Sequence, residues 1–236
     1  MDLSQIQYVI YDGTYFGRNH CLISLMNALD QSIVDHLHTS KEGYQNVLAW
    51  FQRLKAGGLN PLAVTMDGEQ SVMRAIREVW PQTKIQRCLY HIQREGMRWL
   101  RTFPKTQAGR ELRALLNTLA SIKSFKDRDI FQELFHSWVN AHYAFIKTLP
   151  RATIEFKDLK KTVTLIKNAL PDMFHYLLDP KVPSTTNALE GFYSRLKSDY
   201  QRHRGLTPQN RISYLNWYCH LKNNALSTNF SPLYPQ

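Results

Sequence analysis

The chain has 236 residues, 43% of them hydrophobic and 21% charged, with a formal net charge of +11. That length holds one large domain or two small ones with a core of its own, and no apolar run reaches the roughly 18 residues of a membrane helix. The three cysteines are widely spaced, which excludes a disulfide framework and suits reduced thiols in a cytosolic protein, and the polar start MDLSQIQY lacks a signal-peptide pattern.

The charge is unevenly spread. Residues 1–70 carry four basic and seven acidic side chains, residues 84–113 carry eight basic and two acidic, and a further cationic stretch spans 193–222. Clustered Lys and Arg gain by releasing counterions from a phosphate backbone, so the expected partner is a nucleic acid.

In chain order, Ile6–Phe16 (IQYVIYDGTYF) reads as a central strand, dense in β-branched and aromatic residues and interrupted by Asp12. Cys21–Leu29 and Ile33–Leu37 read as two more strands, joined by short turns into an antiparallel meander. Ser40–Gly57 is expected to be helical, capped by Thr39 or Ser40, with a stripe of Tyr44, Val47, Leu48, Phe51 and Leu54. Leu62–Met66 is a strand that ends on Asp67. Val72, Ala75, Ile76 and Val79 then mark a helix closed by Pro81, and Lys84–Gln86 is a further short strand. The order is β-β-β-α-β-α-β. From about Leu89 to Leu178 no strand is expected, but helices are, including an aromatic-rich one over Ile130–Thr148 and one over Leu165–Leu178 broken by Pro171. Asn187–Tyr200 is a strong helix with Leu189, Phe192 and Leu196 inward. Another helix runs from Pro208 to Leu221, and Ser227–Gln236 is expected to be loose. All five tryptophans (Trp50, Trp80, Trp99, Trp138 and Trp217) are assigned to the core.

Asp12 lies in or just after the first strand, and Asp67 ends the fourth. If those strands pair, the two carboxylates meet at neighbouring positions and can share a hard divalent cation. Glu190, in the first turn of the Asn187–Tyr200 helix, is the best candidate for a third acid. Such a set suits two-metal phosphoryl transfer. Each acid also has an ordinary reading, as a turn residue, a helix cap or a first-turn acid. The acids stand out because both aspartates follow apolar strands in an otherwise basic chain.

Four stretches together resemble a known family: YDGTYF at Tyr11–Phe16, TMDGEQSVMRAIREVWP at Thr65–Pro81, QRCLYHIQRE at Gln86–Glu95, and STTNALEGFYSRLKSDYQRHRGL at Ser184–Leu206. From Asp12 to about Arg211 the chain resembles the catalytic core of a Mutator-like, IS256-related DDE transposase. The resemblance implies an α/β, ribonuclease-H-like mixed sheet with a large all-helical insertion before the last catalytic helix. It divides the chain into a first core part (1–91), the insertion (92–180), a second core part (181–226) and a tail. It implies Asp12, Asp67 and Glu190 as the catalytic and metal-binding triad, with Mg²⁺, or Mn²⁺ in its place, bound as two ions. The implied reaction is cleavage at element ends followed by attack of the freed 3′-hydroxyl on target DNA. The implied partners are double-stranded element ends and target, met by a homodimer or larger assembly in a prokaryotic cytoplasm. Such proteins generally carry an N-terminal region that binds the element ends, and here eleven residues precede Asp12. A truncated copy or a core with a separate DNA-binding partner is therefore among the expectations.

Several further residues are candidates. Cys88 and His91 form the family's C-x-x-H pair. They are read as an active-site pair, as a packed Cys with a surface His, or as half a zinc site completed by His20-Cys21 and Cys219-His220. Asn187, one turn before Glu190, would orient it or bind the DNA backbone. Arg87, Arg94, Arg195, Lys197, Arg202 and Arg204 are expected to meet phosphates. Tyr193 and Tyr200 are read either as base-stacking platforms or as core. Two rival functions remain: a metal-dependent nuclease of the same fold without strand transfer, and a non-catalytic DNA-binding fragment that regulates a transposase.

Overall fold

A computed structural model describes residues 2–203 and 205–228, with side chains to residue 224. The first three strands, β1 (Tyr8–Tyr15), β2 (Cys21–Asn27) and β3 (Ile33–Thr39), form the expected meander. β1 pairs antiparallel with β2 from Val9↔Asn27 to Tyr15↔Cys21. Helix α1 (Tyr44–Ala56) follows, then β4 (Ala63–Met66), α2 (Gln70–Val79) and β5 (Lys84–Arg87). β4 and β5 are parallel to β1, and the sheet order is β3-β2-β1-β4-β5. The sheet is thus mixed, and β1 is its central strand. It is buried on both faces, which explains its dense apolar run.

Beyond the sheet the chain is helical among the described residues: α3 (Leu89–Leu100), α4 (Gln107–Asn117), α5 (Phe125–Thr148), α6 (Ile154–Ala169), α7 (Asn187–Tyr200) and α8 (Pro208–Thr228). One core packs α1 and α2 on one face of the sheet around Phe51, Trp80 and Tyr11. A second, on the other face, holds Leu189, Phe192 and Leu196 of α7 with Leu215 and Cys219 of α8 against Ile10 and Leu22. A third belongs to α3–α6 and centres on Leu112, Phe131 and Phe135. The three cysteines are buried and free, and no helix among the described residues is long and apolar enough to cross a membrane.

Several expectations are corrected. Helix α1 begins at Tyr44, not Ser40, because the Thr39 hydroxyl donates to Lys41 O at 3.1 Å instead of capping, and Gly43 takes the N-cap without a side-chain bond. Helix α5 begins at Phe125, where Ser124 and Asp127 form a capping box, and its buried stripe is just Phe131, Phe135 and Trp138. Leu134, Tyr143 and Phe145 are exposed because α5 packs by one face. Helix α6 escaped the sequence reading since its buried stripe (Leu159, Thr162, Ile166 and Ala169) includes a threonine among several lysines. The stretch expected over Leu165–Leu178 is interrupted at Pro171 as expected: α6 ends at Ala169, Pro171 lies in a 3-10 turn, and a second 3-10 turn at His175–Leu177 takes the place of further α-helix. Trp217 is 62% exposed, and Trp99 is half-buried with Lys161 Nζ 6.0 Å from its ring, so two of the five tryptophans leave the core. Helix α8 continues through Thr228, past the expected end at Leu221, and residues 229–236 lie outside the described residues.

Candidate active site

β1 and β4 run parallel in the register Ile10↔Thr65. Continuing that register by two residues sets Asp12 level with Asp67, just beyond the end of β4. The sequence thus fixes the pairing through two apolar strands of matched direction. Asp67 opens the turn into α2: its Oδ1 accepts from Glu69 N at 3.1 Å, and Glu69, not Asp67, is the N-cap of α2.

Glu190 reaches the same end of the sheet because α7 is docked on β1 at Asp12 itself. The buried Tyr193 hydroxyl donates to Asp12 O at 2.8 Å, flanked by the inward Leu189, Phe192 and Leu196. Tyr193 is therefore a core residue and not a base platform, and Tyr200 packs edge-on against Phe16. The connector before α7 is pinned as well: Thr65 Oγ1 donates to Pro183 O at 2.8 Å, and Leu89 N donates to Ser184 O at 3.0 Å.

The start of α3 meets the start of α7 through Thr186. Its hydroxyl oxygen lies 3.4 Å from Cys88 Sγ, 3.4 Å from His91 Nδ1 and 3.4 Å from Glu190 Oε1, and its backbone N–H donates to Cys88 Sγ at 3.3 Å. A hydroxyl has one proton, so it serves these acceptors one at a time. Thr186 is the N-cap residue of α7, yet its side chain makes no capping bond. Its hydroxyl is turned to the site instead. His91 Nε2 stands 3.3 Å from Glu190 Oε1. Burial, then Arg94, lowers the proton affinity of His91. A neutral imidazole then donates Nε2–H to Glu190 and accepts at Nδ1.

The remaining candidates sort by burial. Arg87 is 4% exposed; its Nε donates to Asp67 O at 3.3 Å and lies over Gly68, so it braces the Asp67 turn and does not face DNA as expected. Gln86 is buried and ties β5 to the segment before α7 by donating to Met173 O at 2.7 Å and accepting from Tyr176 N at 3.3 Å. Arg94, Arg195 and Arg202 are exposed, Arg94 lying 5.4 Å over the Tyr90 ring, and Lys197 is partly buried. Arg204 lies outside the described residues. Asn187 is exposed, and the orienting contact to Glu190 comes from Thr186 instead. The zinc reading of Cys88 and His91 finds no partner set, since no cluster of three His, Cys, Asp or Glu able to hold a metal forms among the described residues.

A fourth acid, Glu42, which no motif marks, accepts from the buried Tyr11 hydroxyl beside Gly13. Burial, then Asp67, pushes the Asp12 carboxyl up to about 8, with Glu190 and Glu42 adding to it. Burial pushes Glu42 up to about 7. The site is thus an acidic pocket in a basic protein, with oxygen donors suited to a hard divalent cation. In charge and donor type, Asp12, Asp67 and Glu190 fit such an ion, although their side chains are not drawn into a closed ligand set.

A pH dependence follows. Asp12 holds its proton in the fold up to about pH 8, while the unfolded chain releases it near 3.8. In chelator, stability therefore falls as pH rises through that window. Asp12→Asn keeps an oxygen for the Gly13 N–H, which now donates to Asp12 Oδ1 at 2.9 Å, and removes the titration. The variant is expected to melt about 5–10 °C above wild type at pH 8.5 in chelator, with the gap closing toward pH 4. Parallel melting curves at all pH values would contradict the burial of this carboxyl.

No curated protein matches the chain. Among solved structures, one from an electron cryomicroscopy study of a simian T-cell lymphotropic virus intasome in complex with PP2A regulatory subunit B56 gamma aligns at 11% identity and a TM-score of 0.29. The alignment covers 71% of this chain and 48% of that one, so the chain spans about half the length of its solved counterpart. Residues 8–95, which hold Asp12, Asp67, Cys88 and His91, match the family described as "MULE transposase domain", and over that stretch the chain is similar to a Mutator-like transposase.

Proposed function

We propose that the chain is the catalytic core of a DDE-type DNA transposase, with Asp12, Asp67 and Glu190 as ligands of Mg²⁺, or of Mn²⁺ in its place. The observation that carries this reading is the acidic pocket at the end of β1 and β4, fed by α7, in a chain whose first part matches a transposase domain. The strand order, with an antiparallel meander on one side of β1 and parallel strands on the other, supports a ribonuclease-H-like core. On this reading residues 1–91 and 181–226 form that core and residues 92–180 are an insertion into it. The relation to IS256-type elements rests on the same motifs.

Bound ions would activate the attacking oxygen and stabilise the leaving one. The chain's own residues prepare that site. Tyr193 holds the backbone of Asp12, Arg87 braces the Asp67 turn, and Thr186 with His91 sets the rotamer of Glu190. Exposed Arg94, Arg195 and Arg202 offer charge to a DNA backbone, and the joining of two element ends calls for a dimer or larger assembly.

The test is a joining assay with purified protein, a donor duplex from the DNA flanking its own gene, a plasmid target and Mg²⁺ or Mn²⁺. Joined product from the wild type is expected. Nicked plasmid without joined product would favour the nuclease of the same fold, and DNA binding with neither product would leave a regulatory fragment.

Thr186→Val keeps the shape of the side chain and removes its hydroxyl. It is expected to lower joining by about 10–100-fold, as losses of such supporting contacts do, while moving the melting temperature little. Thr186→Ser should recover most of the rate. Equal rates for Val and wild type would remove Thr186 from the site.

A further inference from the structure

Past the acidic pocket, β1 runs on to a cleft of about 500 Å³ between the β1–β2 turn, the end of β3 and the start of α8. Arg18, Asn19, His20, His38, Ser40 and Arg211 line it, and among the described residues no carboxylate does. We propose that this cleft binds a backbone phosphate of the DNA strand that passes through the acidic pocket. The inference rests on the nucleic-acid reading above and adds a site to it.

Four observations carry it. First, Arg211 is held in place, with its guanidinium 5.8 Å from the Tyr200 ring, and keeps one donor unmet. Its Nη1 donates to Phe16 O at 3.1 Å, while its Nε is buried with no hydrogen-bond partner among the described residues. A buried donor left unmet costs free energy, and an anion in the cleft is the natural acceptor. Second, the cleft is walled by a relay of imidazoles. His20 Nε2 meets His38 Nδ1 at 3.0 Å, and His38 Nε2 meets Asn216 Oδ1 at 2.7 Å. Burial, then His38 and Arg211, lowers the proton affinity of His20, and burial lowers that of His38 against the Asn216 bond that raises it. The two rings thus spend their N–H groups on the relay and fix the wall, while the positive charge of the cleft comes from Arg18 and Arg211.

Third, the position fits. Phe16 lies four residues beyond Asp12 along the chain, roughly 13 Å at the rise of a strand. That is about four base-pair rises of duplex. Fourth, the charge is continuous between the two sites. Lys197, seven residues after Glu190 on α7, holds its Nζ 5.9 Å from the Phe16 ring, at the lip of the cleft. A strand leaving the acids would meet Lys197 and then Arg211 and Arg18.

The experiment measures binding of a 30-base-pair duplex of arbitrary sequence in chelator, across a range of salt, so that it needs no catalysis. Arg18 is exposed, so Arg18→Ser leaves the fold intact. It should lower the slope of log affinity against log salt, and Arg18→Ser with Arg211→Gln should bring the loss to about 1, the share of one phosphate. Arg53→Ser, on α1 and paired with Asp35 at 2.7 Å, should leave the slope as it is. In the wild type the imidazole signals of His20 and His38 should shift with duplex, while those of His142, paired with Glu111, stay still. An unchanged slope in Arg18→Ser, or unmoved His20 and His38 signals, overturns the cleft as a DNA subsite. Movement of those signals by inorganic phosphate but not by duplex overturns it in favour of a small-anion site. If joining depends on Asp67 yet the slope holds, the cleft alone fails. If the slope drops but no joining occurs, the transposase reading fails and the cleft stands.

Discussion

Asp67→Asn is expected to reduce metal-dependent DNA cleavage by about a thousandfold or more while leaving the fold intact. An ion that loses one anionic ligand loses several kcal/mol of charge stabilisation in the transition state, and about 4 kcal/mol is a factor of a thousand. The substitution is gentle elsewhere. Asparagine still accepts the Glu69 N–H at Oδ1, and Arg87 donates to the Asp67 carbonyl, not its carboxylate, so both contacts survive. Loss of the charge also relieves Asp12 and Glu42, both raised by Asp67, so the variant should be at least as stable as wild type in chelator. Nicking of supercoiled plasmid with Mn²⁺ reads the activity, and a melting curve reads the fold. Nicking at the wild-type rate would remove Asp67 from the site.

Gly68→Ala is expected to be the most damaging single methyl in the chain. Gly68 has φ +100°, where an L side chain is strained by roughly 1–2 kcal/mol. A Cβ there would also sit 1.9 Å from Arg87 Nε, so the guanidinium must swing toward the cleft it lines with Trp99 and Lys161 and give up its bond to Asp67 O. Displacing it costs further, for a total of about 3 kcal/mol or more and a fall in melting temperature on the order of 10 °C. Gly17→Ala separates the two causes. Gly17 has φ +108° but nothing within 4 Å of its Cβ position, so it should show the strain alone. Equal losses at the two positions would mean that Arg87 does not rest on Gly68. The glycine after Asp67 is thus there for the arginine of the Q-R-C-x-x-H stretch, which crosses it from the neighbouring strand.

That link shows what was legible in the sequence and what was not. The strands, α2 and α7 were readable because each carries its own periodicity, and the boundaries of α7 came out as Asn187–Tyr200. The meeting of Asp12 with Asp67 followed from two apolar strands ending on acids, once the strands pair in parallel. Helix α6 was lost because a threonine and several lysines blur its stripe. The roles of Arg87, Thr186 and Glu42 were hidden for a different reason. Thr186 meets Cys88 across 98 residues of chain, and Tyr11 meets Glu42 across 31, so no local pattern announces either contact. Arg87 looked like a phosphate ligand because a guanidinium near a basic run usually is one. Burial against the Asp67 turn decided otherwise. Thr186 holds the glutamate of its own motif, whereas Arg87 and Glu42 act on residues of other stretches, the Asp67 turn and Tyr11.

The most direct test of the acidic pocket is Mn²⁺ binding by the chain alone, without DNA, followed by electron paramagnetic resonance of the free ion. Wild type should take up Mn²⁺ saturably, and Asp12→Asn, Asp67→Asn and Glu190→Gln should each weaken it by at least about tenfold, with Arg53→Ser unchanged. Uptake that is the same in all three acid variants as in wild type would contradict the assignment of Asp12, Asp67 and Glu190 as the metal ligands.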